Sequence, residues 1–98
     1  MIRLDDKQYE WSPDKNEWLK ENRGISFEEV LEALTTHAFV IDARNPNEKK
    51  YPNQHVLILK LRGYVHVVPY SEDNNKRFLK TIYPSRKATK LYLQSIKG

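Results

Sequence analysis

The residues of this chain best suited to chemistry are cations and rings in its second half. Lys60, Arg62, Lys80, Arg86, Lys87 and Lys90 are interleaved with His66, Tyr64, Tyr70 and Tyr83. Histidine, tyrosine and lysine can act as general acid or base, and arginine can clamp a phosphate through two parallel hydrogen bonds. RNA cleavage without a metal needs just these parts. A base takes the 2′-hydroxyl proton, cations stabilise the charge building on phosphorus, and an acid protonates the leaving 5′-oxygen. Cations on phosphates with rings stacked on bases also describes how single-stranded RNA is held. The candidate catalytic residues are Arg86, Lys80 and His66. The candidate RNA contacts are Lys60, Arg62, Lys87, Tyr70 and Tyr83. Each has an ordinary alternative: the tyrosines as packing residues, His66 as a satisfied strand histidine, and Lys87 and Lys90 as the wet face of a helix. Arg86 is the least ordinary, because it falls in the first turn of an expected helix, where the dipole disfavours a cation.

Other chemistries find little support. The chain has no cysteine, so thiolate metal sites, disulfides and cysteine nucleophiles are excluded. His37, His55 and His66 do not pair with further ligands at short helical spacing, and the basic half offers only Glu72 and Asp73 as acids. A two-metal nuclease needs clustered carboxylates, so neither a metal nor another cofactor is expected. Three scattered glycines make no phosphate-binding loop.

The charge distribution narrows the partner. The net charge is +4 over 98 residues, but residues 1–50 balance at −3 and residues 51–98 at +7. Such asymmetry points to an acidic half and a half that meets an anion. The longest aliphatic run, Val56 to Leu59, is far too short to span a bilayer, and the N-terminus has no signal-like apolar core. One cytoplasmic domain over residues 1–98, with no membrane contact, is the expectation.

These side chains must be positioned by a small α+β framework. Tyr9-Glu10-Trp11 reads as a short strand or an anchoring segment. Ser12-Pro13 opens a helix, with serine as cap and proline in the first turn, and Gly24 closes it. Ser26 and Glu29 form a capping box before a second helix, with Phe27, Val30, Leu31 and Leu34 on one face. Ala38–Ile41 reads as a strand, followed by turns at Asn45-Pro46-Asn47 and Tyr51-Pro52-Asn53. Two strands, about His55–Leu61 and Tyr64–Tyr70, meet at a tight Arg62-Gly63 turn. A polar turn at Ser71–Asn75 leads to a strand at Arg77–Tyr83. Pro84-Ser85 then starts a last helix with Ala88, Leu91, Tyr92 and Ile96 as its apolar positions. Short-loop sequential strands predict a four-stranded antiparallel sheet. Two helices should cover the face carrying Leu57, Leu59 and Leu61, leaving Lys60 and Arg62 towards solvent. Alternation places Tyr64, His66, Val68 and Tyr70 on one face and Val65, Val67 and Pro69 on the other.

Two motifs carry a family resemblance. Glu10-Trp11-Ser12-Pro13-Asp14-Lys15, then Gly24-Ile25-Ser26-Phe27-Glu28-Glu29, resembles the N-terminal signature of BrnT-type toxins. That signature runs Glu-Trp-Asp-Pro-x-Lys, then Lys-His-Gly-Val-Ser-Phe-Glu-Glu at the same separation. Ser85-Arg86-Lys87-Ala88-Thr89-Lys90, with Tyr92 beyond it, resembles the family's Ser-Ala-Arg-Lys-Ala-Thr ending. The chain departs from the pattern at Ser12, Arg23 and Pro84-Ser85. His55 and Thr81 stand where the family carries arginines, with Lys80 beside the second. The resemblance implies a divergent RelE-like toxin of a type II toxin–antitoxin system, a metal-independent endoribonuclease (mRNA interferase) that inhibits translation. It implies a cognate antitoxin of ribbon-helix-helix or helix-turn-helix type, through which alone operator DNA is bound. The alternatives are a non-catalytic RNA- or partner-binding domain of the same fold, or a small interaction domain whose basic face meets an acidic protein.

Overall fold

The computed structural model describes residues 2–4, 7–36, 40–44 and 54–90. The order is β1 (Ile2–Leu4), β2 (Lys7–Trp11), α1 (Pro13–Arg23), α2 (Phe27–Thr35), β3 (Val40–Arg44), β4 (His55–Leu61), β5 (Tyr64–Asp73), β6 (Lys76–Leu79) and β7 (Tyr83–Pro84). A helical turn, α3, follows at residues 86–90. The expected turns at residues 45–53, and His37, Ala38, Leu91, Tyr92 and Ile96, lie outside the described residues.

The helices start where their caps dictate. The Ser12 hydroxyl accepts from the Lys15 N–H at 3.2 Å, and Pro13 occupies the first position. Gly24 closes α1 in the left-handed region, φ 63°, where only glycine is free of strain. Glu29 returns its carboxylate to the Ser26 N–H at 3.0 Å, completing the capping box. Asn16, buried on α1, joins the two helices. Its oxygen accepts from the Phe27 N–H at 2.8 Å and its nitrogen donates to Glu28 at 2.9 Å. That bond holds the Glu28 carboxyl below its ordinary value.

The class is α+β, but the sheet is not a four-stranded antiparallel meander. It is mixed, in the order β1-β2-β6-β5-β4-β3, with β7 beside β5. The N-terminal residues supply two strands, and β2 runs parallel to β6, from Gln8 opposite Lys76 to Trp11 opposite Leu79. Pairing between segments so distant in sequence leaves no local signal.

Two other boundaries differ from expectation. β5 runs on through Asp73, and the turn tightens to Asn74-Asn75, because Glu72 faces Arg77 and Asp73 faces Lys76 across the ladder. The expected strand from Arg77 to Tyr83 is interrupted at residues 80–82 by a bulge. Tyr70 pairs with Leu79 and Val67 with Tyr83, so β6–β7 advances four residues while β5 advances three. The bulge lies opposite Pro69, whose carbonyl accepts from the Lys80 N–H at 2.9 Å. Proline offers that neighbour no N–H of its own, and an irregular partner strand is where a central sheet can tolerate it.

The core has two parts. Between the sheet and α1 and α2 lie Leu57, Leu59 and Leu61, as expected, with Leu19, Phe27, Val30, Val68, Tyr70, Leu79 and Ile82. On the opposite face Val56, Val65 and Val67 pack with Ala88 of α3. The two faces of β5 are therefore both covered, and Tyr64, His66, Val68 and Tyr70 point towards the α1/α2 side. Among the described residues no helix is long and apolar enough to cross a membrane.

Candidate nucleic-acid interface

The N-terminal motif is taken up by structure. Ser12, Pro13, Gly24, Ser26 and Glu29 are caps, Glu28 binds Asn16, and Trp11 stacks on Phe27 at 5.5 Å. The C-terminal motif divides differently. Ser85 caps α3, its hydroxyl accepting from the Ala88 N–H at 3.0 Å. Its own N–H donates to the Val65 carbonyl at 3.0 Å. Ala88 packs in the core, and the Thr89 hydroxyl accepts from the Val65 N–H at 3.1 Å. Arg86, Lys87 and Lys90 take no part in this anchoring. They are exposed and have no carboxylate partner among the described residues.

Lys80 joins this set. It is exposed at the bulge without a carboxylate partner among the described residues, three residues before Tyr83, which is 39% exposed. Lys60 is half-buried on the α3 side of the sheet, opposite Val65. With Ser85 bound to Val65 from the other side, Lys60 and the start of α3 are two strands apart, about 10 Å. The sheet edge from Lys80 through Tyr83 to Lys87, with Lys90 and Lys60 near it, is therefore a strip of cations without carboxylate partners among the described residues, with an exposed ring. Such a strip can hold a polyanion and stack a base.

The other predicted residues lie elsewhere. Tyr70 is 2% exposed, its hydroxyl donates to Asp42 and His55 stacks on its ring, so no base can reach its face. Burial, then the bond to Asp42, pushes its phenol well above the ordinary value. His66 is 9% exposed on the α1/α2 side, with Nδ1 2.8 Å from the Tyr64 carbonyl. Burial pushes its imidazole below the ordinary value, against opposing effects of that carbonyl and the Glu29 charge. Arg62 sits in the hairpin turn at φ 53°, beside Gly63 at φ 77°. It turns back onto α2, its Nε 2.8 Å and its Nη2 3.2 Å from the two oxygens of Glu29. The sheet thus separates His66, Arg62 and Tyr70 from Lys80, Tyr83, Arg86 and Lys87.

A second polar cluster, not foreseen from the sequence, crosses five strands on the α1/α2 side. Arg77 is centred over the rings of Tyr70, at 4.8 Å, and Tyr9, at 5.8 Å. It pairs with Glu72 at 2.6 Å and Asp42 at 3.0 Å, and Lys7 adds a pair to Glu72 at 3.4 Å. Burial opposes the Arg77 charge, but Glu72 above all outweighs it, and the guanidinium pKa rises. The bond to Arg77 likewise holds the Glu72 carboxyl low. Two cations face two carboxylates here, so the cluster is neutral and acts as a brace, not as an anion site. Among the described residues no group of three His, Asp or Glu is placed to hold a metal ion.

The comparisons add no relative: no family model matches this chain, and no curated protein or solved structure matches it.

Proposed function

We propose that this chain is a RelE-like, BrnT-type toxin domain that binds single-stranded RNA along the edge formed by residues 80–87 and cleaves it without a metal. One observation carries the reading. In the motif at residues 85–90 the three uncharged residues, Ser85, Ala88 and Thr89, anchor the helix, whereas the three cations are exposed and have no carboxylate partner among the described residues. By contrast Lys7 and Arg77 in the sheet and Arg62 in the hairpin turn are tied to carboxylates. In this reading Arg86 meets the scissile phosphate and stabilises its developing charge, Lys80 serves proton transfer or phosphate contact, and Lys87 and Lys60 hold the flanking backbone. Tyr83 offers its ring to a base. A cognate antitoxin would mask the same strip.

A second reading, RNA or partner binding without cleavage, is favoured by His66. It is buried on the far side of the sheet, so among the described residues the strip has no imidazole for acid–base work. One experiment separates the two. The chain is expressed by induction in a bacterium, alone and with its genomic neighbour, and growth and RNA integrity are scored. Growth arrest with fragmented RNA, relieved by the neighbour and abolished in Arg86→Ala, is the expected result. Arrest with intact RNA selects binding without cleavage, and absence of both effects refutes the toxin reading.

A further inference from the structure

The most exposed large aromatic among the described residues is Trp18, at 42%, and the edge strip does not include it. It lies on α1 with the Lys15 ammonium 4.3 Å and the Arg23 guanidinium 5.0 Å from its ring centre. Neither cation has a carboxylate partner among the described residues. Arg23 also donates to the Ile82 carbonyl, so one side chain spans from the Trp18 ring to the bulged edge. Ile82 is followed by Tyr83, the exposed ring of the strip.

The helix orients the charges. At about 100° per residue, Lys15 and Asn22 fall on one flank of Trp18, and the exposed acids Asp14 and Glu21 on the other. The flank with Lys15 is the one nearer the buried residues Asn16 and Leu19. Trp18 therefore has cations on its sheet side and acids on its outer side. A strand of negative charge crossing the edge from Arg86 past Tyr83 and Arg23 would meet Trp18 from the cationic side.

We propose that Trp18, with Lys15 and Arg23, is a second base-stacking subsite for single-stranded RNA, continuous round the sheet edge with Tyr83. This rests on the RNA-binding reading and extends it. The ring takes a base of any identity, because every base has a π-face, and the two cations take the phosphates on either side. Bound RNA displaces them from the ring to its own backbone.

The test titrates the full chain with a short oligouridylate and follows intrinsic tryptophan fluorescence. The second tryptophan, Trp11, is packed on Phe27 and serves as an internal reference. Binding should quench the emission of the wild type, and Trp18→Phe should remove the quench. Trp18→Ala should weaken binding about tenfold, as expected for the loss of one stacked base, and Trp18→Phe should weaken it less. Melting temperatures should be unchanged, because the ring lies outside the core. Unaltered affinity in Trp18→Ala, alongside weakened binding in Arg86→Ala, overturns the subsite and leaves the RNA reading standing. Failure of the wild-type chain to bind the oligouridylate overturns both.

Discussion

At the scale of single residues, Arg86 and His66 make opposite predictions. Arg86 is exposed in the first turn of α3, where its charge opposes the helix dipole by up to about 1 kcal/mol. Arg86→Ala should leave the melting temperature unchanged or slightly raised, while cleavage of a short RNA falls about a hundredfold. Arg86→Lys should rescue only part of it, since lysine lacks the bidentate fork. A large drop in melting temperature would show a structural arginine instead. His66 should leave its mark on stability. Its folded pKa lies below the ordinary 6.5, so below that value the unfolded chain binds the proton better. Stability from the neutral ring is therefore complete above pH about 6.5 and declines as the pH falls below it. Urea midpoints measured between pH 7 and pH 5 should fall in the wild type, and this decline should vanish in His66→Gln.

At the scale of elements, two joints deserve the most weight. Asn16 satisfies the first N–H of α2 from inside α1, and Asn16→Ala would leave it buried without a partner. A loss of about 1–3 kcal/mol is expected, read from chemical denaturation. Arg77 braces β3, β5 and β6, and Arg77→Ala should cost about 1 kcal/mol, chiefly from its lost packing over the Tyr70 and Tyr9 rings, because Glu72 and Asp42 can be rehydrated. The caps, the Arg62-Gly63 hairpin and the buried leucines were all legible in the sequence, because each is set by neighbours a few residues apart. The side-chain faces of β5 were only half legible. Alternation gives two sets, His66 with Tyr70 and Val65 with Val67, but not which neighbour covers each. The pairing of Arg62 with Glu29 was not legible because the two are 33 positions apart, and the bulge opposite Pro69 displaced the final strand by one residue.

At the scale of the whole molecule, the carboxylates set one pH limit and the cations another behaviour. Glu28, Glu29 and Glu72 all have folded pKa values below the ordinary one. For Glu29, burial pulls the other way and the Arg62 bond prevails. Their contribution is present above the ordinary carboxylate value and is lost as the pH falls through the lower folded one. On the proposed reading, RNA binding along the exposed cations of residues 80–90 should be salt-sensitive, with affinity falling steadily as salt rises. A complex with the antitoxin should instead survive about 0.5 M salt, because charge alone is screened over about 8 Å already at physiological salt. Dissociation on a sizing column at that salt would point to a purely electrostatic partner. Cleavage should persist in excess chelator, and recovery by added Mg²⁺ after loss would refute the proposed mechanism. The parallel pairing of β2 with β6 also has a consequence for synthesis. Gln8 finds Lys76 only after most of the chain has been made, so β2 must wait for the β4–β5 hairpin and its successor to leave the ribosome. Closing so long a loop is slow compared with forming a hairpin. β2 is thus made before β6 and paired only after it, so the basic half emerges before the parallel pair can close the sheet.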